Sequence, residues 1–365
     1  MLKYTFAFII LVHGLIHLLG FARAFGYGNI TQLNKEISKP IGMLWLLTAL
    51  LFTVAIILFI VKKDCWCIAG IVAVLLSQAL IFTVWKDAKF GSIANVIILV
   101  AIVAAWGSIQ FENTFRKHVK ANFETNNPLS ADVITEADLK LLPEPVKKYL
   151  RFAGVLNRPK VKNMRIVFEG EMREKGKEYF SFTSEQYNFF DEPTRLFFMK
   201  GNMFGITFPG YHHYINGNAV MDIRLFGWFP IVQKSGDIMN KAETVTLFND
   251  MCLMAPATLI DKRIQWQAID SNSTKAIFTN HGISIAAVLY FNDRGELIDF
   301  ISNDRSAVTD MKQYPFSTPA KNYKIINGIN VMTYGEAIWH YPDGKFVYGK
   351  FNLKEIEYNL SHFKK

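Results

Sequence analysis

The segment IMNKAETVTLFNDMCLMAPATLID, residues 238–261, is the key to the architecture of the C-terminal part of this chain. Its apolar residues recur at helical spacing, with Val245, Phe248, Cys252 and Ala255 on one stripe. The sequence on both sides alternates apolar and polar residues, which is typical of strands. An apolar helix between two sets of strands is expected to lie across the concave face of a curved sheet and plug it. The prediction is an α+β domain, a curved antiparallel sheet with a plugging helix.

Alternation with a period of two predicts about ten antiparallel strands after residue 160. Residues 164–172 and 180–187 alternate before the helix, and residues 275–280, 283–291 and 297–302 form a meander after it. The intervening segments Asn280-His281-Gly282 and Asn292-Asp293-Arg294-Gly295 contain the Asn, Asp and Gly residues that hairpin turns require.

The early strands are rich in Phe, Met, Trp and Tyr, and this composition has two interpretations. The residues form an ordinary core, or sheet and helix enclose a cavity for an apolar ligand, lined by adaptable Met side chains. Because adjacent strand residues point to opposite faces, His212 and His213 could share a metal ion only if they lie in an irregular loop. The candidate ligand-binding residues are Phe204, Phe208, Phe226, Trp228, Phe248 and Met251, with His212 and His213 near the rim.

Residues 1–111 contain four uncharged, largely apolar stretches, at 5–22, 41–61, 65–85 and 91–111. A helix of roughly 20 residues spans the hydrocarbon core of a bilayer, so four transmembrane helices are predicted. The first stretch is longer than the apolar region of a typical signal peptide, which favours a membrane helix. The predicted organisation is a four-helix transmembrane domain over 1–111, a linker over 112–129 and the α+β domain over 130–365.

Charge gives little information about orientation or partners. Arg116, Lys117 and Lys120 follow the last apolar stretch and favour a cytoplasmic C-terminal part under the positive-inside rule. The net charge of +9 comes partly from the membrane region, and no nucleic-acid-binding motif is present, so no nucleic-acid partner is predicted.

Two histidines, His13 and His17, lie four residues apart in the first apolar stretch and therefore share a helical face. Ionisable groups inside a membrane are costly and often functional, so a metal, haem or quinone site is one hypothesis. A metal site would need further ligands. The alternative is that two neutral imidazoles form hydrogen bonds with other helices, at Ser77, Gln78 or Asn95. Gly14 and Gly20 would allow a neighbouring helix to approach closely.

No enzyme signature is recognisable in the sequence. It contains no GxSxG nucleophile elbow, no phosphate-binding loop and no dinucleotide fingerprint, and its three cysteines do not form a disulfide framework. No catalytic residue is therefore predicted, and the sequence identifies no particular cofactor. The alternatives are a lipid-binding membrane protein, a membrane redox or metal protein, and a structural or regulatory module that binds an unknown protein.

Several motifs resemble those of a bacterial membrane-protein family of unknown function. They are the His13-Gly-Leu-Ile-His-Leu-Leu-Gly-Phe21 run, Leu142-Pro-Glu-Pro-Val-Lys-Lys-Tyr-Leu150, Phe168-Glu-Gly-Glu-Met-Arg173, the 250–261 run and Gly335-Glu-Ala-Ile-Trp339 with Pro342-Asp343-Gly344. The strand–helix–strand order is also similar to the lipoprotein-carrier half-barrel fold, in which a curved sheet holds acyl chains. The resemblance implies a multi-pass protein of the bacterial cytoplasmic membrane, with membrane lipids as partners. Such carriers work outside that membrane, so the orientation stays open.

Overall fold

The computed structural model describes residues 2–125 and 132–364. The chain divides into two compact units. One comprises Met1–Gln110 with Phe226–Trp228, and the other comprises Phe111–Leu225 with Phe229–Lys365.

The N-terminal unit is helical. Within the described residues, four helical segments are long and apolar enough to cross a membrane, which confirms the number predicted. They are Lys3–Phe25, Lys39–Ile60, Trp66–Thr83 and Gly91–Thr125. The helices are α1 (Leu2–Ile16), α2 (Leu18–Phe25), α3 (Lys39–Ile60), α4 (Trp66–Thr83), α5 (Trp85–Ala88) and α6 (Gly91–Thr125).

Small residues allow the first two apolar segments to pack closely, as predicted for Gly14 and Gly20. A Cβ atom on Gly20 would lie 2.1 Å from the Trp45 ring, and one on Gly14 would lie 2.9 Å from Cβ of Phe52. No larger side chain fits at Gly20 without movement of the indole.

Residues 112–125, which the sequence suggested as part of a linker, continue helix α6. Phe111, Phe115 and Val119 recur at a spacing of four residues and pack against outward-facing residues of the sheet: Tyr187, Phe189, Leu196, Phe198 and Tyr211. This narrow apolar stripe lies among charged residues such as Glu112 and Arg116, which form an ion pair at 2.8 Å. The charged residues give residues 112–125 the composition of a linker. The apolar stripe nevertheless packs this segment against the sheet as a helix.

Two short helices precede the sheet, α7 (Glu136–Leu139) and α8 (Glu144–Ala153). The backbone N–H of Thr135 donates to Asp138 Oδ2 at 2.8 Å, in a capping box at the start of α7.

The C-terminal unit is built on one curled antiparallel sheet. The first six strands are β1 (Asn163–Met172), β2 (Phe180–Phe189), β3 (Thr194–Met203), β4 (Ile206–Ile215), β5 (Asn218–Leu225) and β6 (Phe229–Ser235). The later strands are β7 (Ile264–Ala268), β8 (Ser273–Asn280), β9 (Ile283–Phe291), β10 (Leu297–Ser302), β11 (Phe316–Ser317), β12 (Ala320–Lys321), β13 (Lys324–Ile326), β14 (Ile329–Val331), β15 (Tyr334–Tyr341) and β16 (Gly344–Tyr358).

The strand order is β6-β5-β4-β3-β2-β1-β16-β15-β11-β10-β9-β8-β7, with β12 pairing β15 and a separate β13–β14 hairpin. This 13-strand half-barrel confirms the predicted fold class. The first and last strands pair at its centre, where Met164 lies opposite Tyr358. The sheet has more strands than the roughly ten expected from periodicity, because strands of two or three residues are too short to show alternation.

Helix α9 (Asp237–Met254) connects β6 to β7, the two edge strands, and crosses the sheet between them. The predicted stripe of Val245, Phe248, Cys252 and Ala255 is fully buried. The helix ends earlier than predicted because Pro256 disfavours a helical conformation at Ala255, whose φ and ψ are −132° and 60°. A 3₁₀ turn, Pro256–Ile260, follows.

Candidate functional site

A cavity of about 790 Å³ lies in the C-terminal unit, between the sheet and α9. Inward-facing side chains of β1 to β5 supply much of its apolar wall, including Phe168, Met172, Phe180, Phe197, Met199, Phe208, Met221, Ile223 and Leu225. Helix α9 contributes Met239, Ala242, Thr246, Leu253 and Met254. The later strands contribute aromatic rings: Phe316, Trp339, Tyr341, Phe346, Tyr348 and Phe351.

The cavity exists because the helix presents small and flexible residues to this part of the sheet. Ala242 and Thr246 line the space, whereas the bulky ring of Phe248 points elsewhere and stacks on Phe278 with centroids 5.2 Å apart. On the sheet, Gly201 has no side chain, and the Phe208 ring covers it so closely that a Cβ atom there would lie 2.3 Å from Cζ. The side chains on this part of the helix and sheet therefore leave the space unfilled.

A buried polar network ties α9 to the sheet at the wall of the cavity. Arg195 on β3 donates from Nε to Asp250 Oδ2 at 2.7 Å and from Nη1 to Glu243 Oε2 at 3.2 Å. Its Nη2 donates to Gln186 Oε1 at 3.2 Å. Asp250 Oδ2 also accepts from Asn188 Nδ2 at 3.0 Å. Two carboxylates thus compensate the charge of Arg195 within the fold.

His212 on β4 lines the cavity, with its ring 5.8 Å from that of Phe197. Burial, followed by the positive charges of Arg195 and Arg305, lowers the pKa of His212 to about 3. The imidazole is therefore neutral at neutral pH and contributes a polar but uncharged group to the wall.

The strand ends at one side of the cavity carry exposed apolar residues. Phe204, in the turn between β3 and β4, is 96% exposed, and Phe229 and Ile231 on β6 are also exposed. Met203, Phe204, Ile206 and Ile231 are among the residues that line the cavity, so this apolar edge is continuous with its wall.

The structure brings together three of the predicted ligand-binding residues. Phe204, Phe208 and His212 line the cavity. His213 lies on the opposite face of the regular strand β4, where its ring is 4.9 Å from that of Tyr211. Alternation therefore separates the two histidines.

The other predicted ligand-binding residues are not part of the cavity wall. Phe248 and Met251 are buried in the core, and Phe226 and Trp228 lie in the segment between β5 and β6. Sequence reasoning missed Arg195, Arg305 and the aromatic residues of β15 and β16. Alternation counted from Phe197 would have placed Arg195 and Met199 on the inner face, but no local signal marks Arg305.

The proposed metal pair, His13 and His17, belongs to a hydrogen-bonded cluster in the helical unit. His13 Nε2 lies 2.8 Å from Asn95 Oδ1, and His17 Nε2 lies 2.9 Å from Ser77 Oγ. His17 Nδ1 lies 2.8 Å from the carbonyl oxygen of His13 and must donate to it. Asn95 and Ser77 are two of the three hydrogen-bond partners expected for neutral imidazoles. The third, Gln78, accepts a hydrogen bond at Oε1 from Asn95 Nδ2 at 3.0 Å.

Within residues 2–125 and 132–364, no group of three or more His, Cys, Asp or Glu side chains is arranged to hold a metal ion. A metal ion at this position would have His13 and His17 as its only ligands of these types among the described residues. The metal site stays a prediction.

The chain belongs to a family of unknown function, DUF6544, whose model matches residues 132–351. No curated protein matches the chain significantly.

Among solved structures, the C-terminal part is similar to a domain described as an outer membrane lipoprotein-sorting protein from Vibrio parahaemolyticus. The identity is 10% and the TM-score 0.34, over 54% of this chain and 85% of that chain. A LolA superfamily protein from Nitrosomonas europaea is similar at 8% identity and a TM-score of 0.36, over 58% of this chain and 92% of that chain.

Proposed function

We propose that this chain is a multi-pass protein of the bacterial cytoplasmic membrane whose C-terminal domain binds a lipid or another apolar ligand. The observation that carries the proposal is the cavity of about 790 Å³ under α9. Its volume falls within the range of about 300–1,000 Å³ that small-molecule sites occupy. The four apolar helices support the membrane location.

The chemistry of the wall favours a flexible apolar ligand. Methionines from several elements line the cavity, among them Met199 on β3, Met221 on β5 and Met254 on α9. Unbranched thioether side chains adapt to ligands of variable shape, as the acyl chain of a lipid requires. The exposed apolar residues at the strand ends, Phe204 foremost, offer a continuous apolar path into the cavity for a ligand with low solubility in water.

A cavity-filling substitution tests the proposal in the full-length protein. Ala242 is buried on α9 and lines the cavity, so a phenylalanine there would project into the ligand space. The matched control is Ala286→Phe, on a half-buried position of β9 outside the cavity wall. The wild type and both variants would be purified from membranes into an amphipathic polymer and extracted with organic solvent for mass spectrometry.

We expect one lipid species, near one equivalent per chain, in the wild type and in Ala286→Phe, and its selective loss in Ala242→Phe. Lipids bound around the apolar helices should be equal in all three samples and provide an internal reference. Identical lipid profiles in the three proteins would contradict the proposal.

A further inference from the structure

Two arginines at the aromatic side of the cavity lack the carboxylates that compensate Arg195. Arg305, in the loop after β10, and Arg173, just after β1, both line the cavity and are half-buried. Arg305 donates from Nη1 to the Tyr348 hydroxyl at 3.0 Å, and Arg173 donates from Nε to the carbonyl of Val347 at 3.1 Å. Among the described residues, neither guanidinium forms an ion pair with Asp or Glu.

Aromatic rings hold both guanidinium groups in place. The guanidinium carbon of Arg305 lies 4.0 Å from the ring centroid of Phe316 and 5.3 Å from that of Trp339. The guanidinium carbon of Arg173 lies 4.3 Å from the ring centroid of Tyr179. Aromatic faces orient a guanidinium without neutralising it, so each group keeps its charge and most of its N–H donors for another partner.

Both arginines form a hydrogen bond with Tyr348 of β16, Arg173 through its backbone and Arg305 through its guanidinium. The backbone N–H of Arg173 donates to the carbonyl of Tyr348 at 2.9 Å, and the Tyr348 hydroxyl accepts from Arg305. The charge of Arg305 also lowers the pKa of His212, so its field reaches the cavity wall. A positive site therefore borders an apolar space. Glu336 lines the cavity as well, but its carboxylate accepts a hydrogen bond from the Tyr334 hydroxyl at 2.7 Å.

We propose that the ligand is an acidic amphiphile whose carboxylate or phosphate headgroup binds Arg305 and Arg173 while its acyl chain occupies the apolar part of the cavity. The proposal rests on the proposed function and specifies the ligand class. A planar guanidinium can bind a carboxylate or phosphate through two parallel hydrogen bonds, and an acidic headgroup would supply the ion-pair partner that neither guanidinium has among the described residues.

The test uses the full-length protein in nanodiscs of phosphatidylcholine and three radiolabelled probes with the same chain length: palmitate, hexadecyl phosphate and hexadecanol. The variants are Arg305→Gln, which removes the charge, and Arg305→Lys, which keeps the charge but not the planar fork. Arg294→Gln is the control, because Arg294 is exposed, pairs with Glu296 at 2.8 Å and lies outside the cavity wall.

We expect Arg305→Gln to weaken the binding of palmitate and hexadecyl phosphate by about tenfold or more, and Arg305→Lys to weaken it less. Hexadecanol affinity should stay within about twofold of the wild-type value, which also shows that the cavity is intact. Arg294→Gln should bind all three probes as the wild type does.

Three outcomes would overturn the proposal. One is unchanged binding of both acidic probes in Arg305→Gln, and another is an equal loss of all three probes. The third is displacement of palmitate by millimolar inorganic phosphate, which would identify a free anion as the ligand. If the wild type binds none of the three probes, the proposed function itself fails, so the two failures can be distinguished.

Discussion

Arg195 Nε and Asp250 Oδ2, 2.7 Å apart, join the inner face of β3 to the helix that crosses the sheet. Removing one partner of a buried ion pair costs up to about 3–5 kcal/mol. Loss of Asp250 leaves Arg195 with Glu243 as its remaining carboxylate and removes the acceptor of the Asn188 amide. We therefore expect Asp250→Ala to lower the midpoint of thermal unfolding by roughly 10 °C. Intrinsic fluorescence measures this midpoint. The control Asp343→Ala breaks the exposed pair with Lys175 and should change the midpoint little. Equal effects of the two variants would contradict this role of Asp250.

The contact between Gly201 and Phe208 predicts a non-additive pair of substitutions. Gly201→Ala would force the Phe208 ring toward the cavity, and overpacking of this kind costs about 1–3 kcal/mol. In a Phe208→Ala background the added methyl has room, so the same substitution should cost much less. A double-mutant cycle on the free energy of unfolding measures this coupling. Additive costs would show that the ring does not restrict position 201.

His212 makes stability dependent on pH. Its pKa is lowered to about 3 in the folded protein, chiefly by burial, and lies near 6.5 in the unfolded chain. The unfolded state therefore binds the proton first, and stability is lost as the pH falls from about 6.5 toward 3. Between pH 7 and pH 5 this contribution is up to about 2 kcal/mol.

We expect His212→Gln to reduce the difference between the thermal midpoints at pH 7 and pH 5. His213, whose pKa burial lowers to about 4, should retain part of the acid sensitivity. The control His362→Gln changes an exposed residue near the C-terminus and should leave the difference as in the wild type. A wild-type pH dependence in His212→Gln would show that another group is responsible.

The Ser77 hydroxyl connects the histidine cluster of the helical unit, with His17 Nε2 at 2.9 Å and Asn95 Nδ2 at 3.0 Å. Interhelical hydrogen bonds of this kind contribute about 0.6–2 kcal/mol each. Ser77→Ala should therefore lower the thermal midpoint in detergent, whereas Thr53→Ala, which removes only a bond to Ala49 within one helix, should not. Metal analysis of the same samples tests the alternative. A stoichiometric metal that is lost from His13→Ala would favour a metal centre.

Local patterns were sufficient to predict the four apolar helices, the start and the buried stripe of α9, and a curved antiparallel sheet. Hydropathy and periodicity depend on neighbours in sequence, and in these segments tertiary packing did not override them. The extension of α6 was missed because Phe111, Phe115 and Val119 are separated by charged residues, and only the sheet opposite explains their spacing.

The candidate site was less predictable than the fold. Which face of α9 lines the cavity depends on how the helix lies over the sheet. The face that carries Phe248 packs against Phe278, so another face lines the cavity. Arg305 lies in a loop, and its aromatic neighbours Phe316, Trp339 and Tyr348 come from three different strands. Such a site is formed by contacts distant in sequence, which no local pattern encodes.

The pairing of β1 with β16 at the centre of the sheet has a consequence for biosynthesis. The partner of Met164 on this side is Tyr358, so β1 can pair with β2 early but with β16 only after residue 358 has been translated. Until then the early meander exposes an unpaired edge, a state open to aggregation. Since closing so large a loop is slow, the pairing of β1 with β16, and not the pairing within the early meander, should time the folding of this domain.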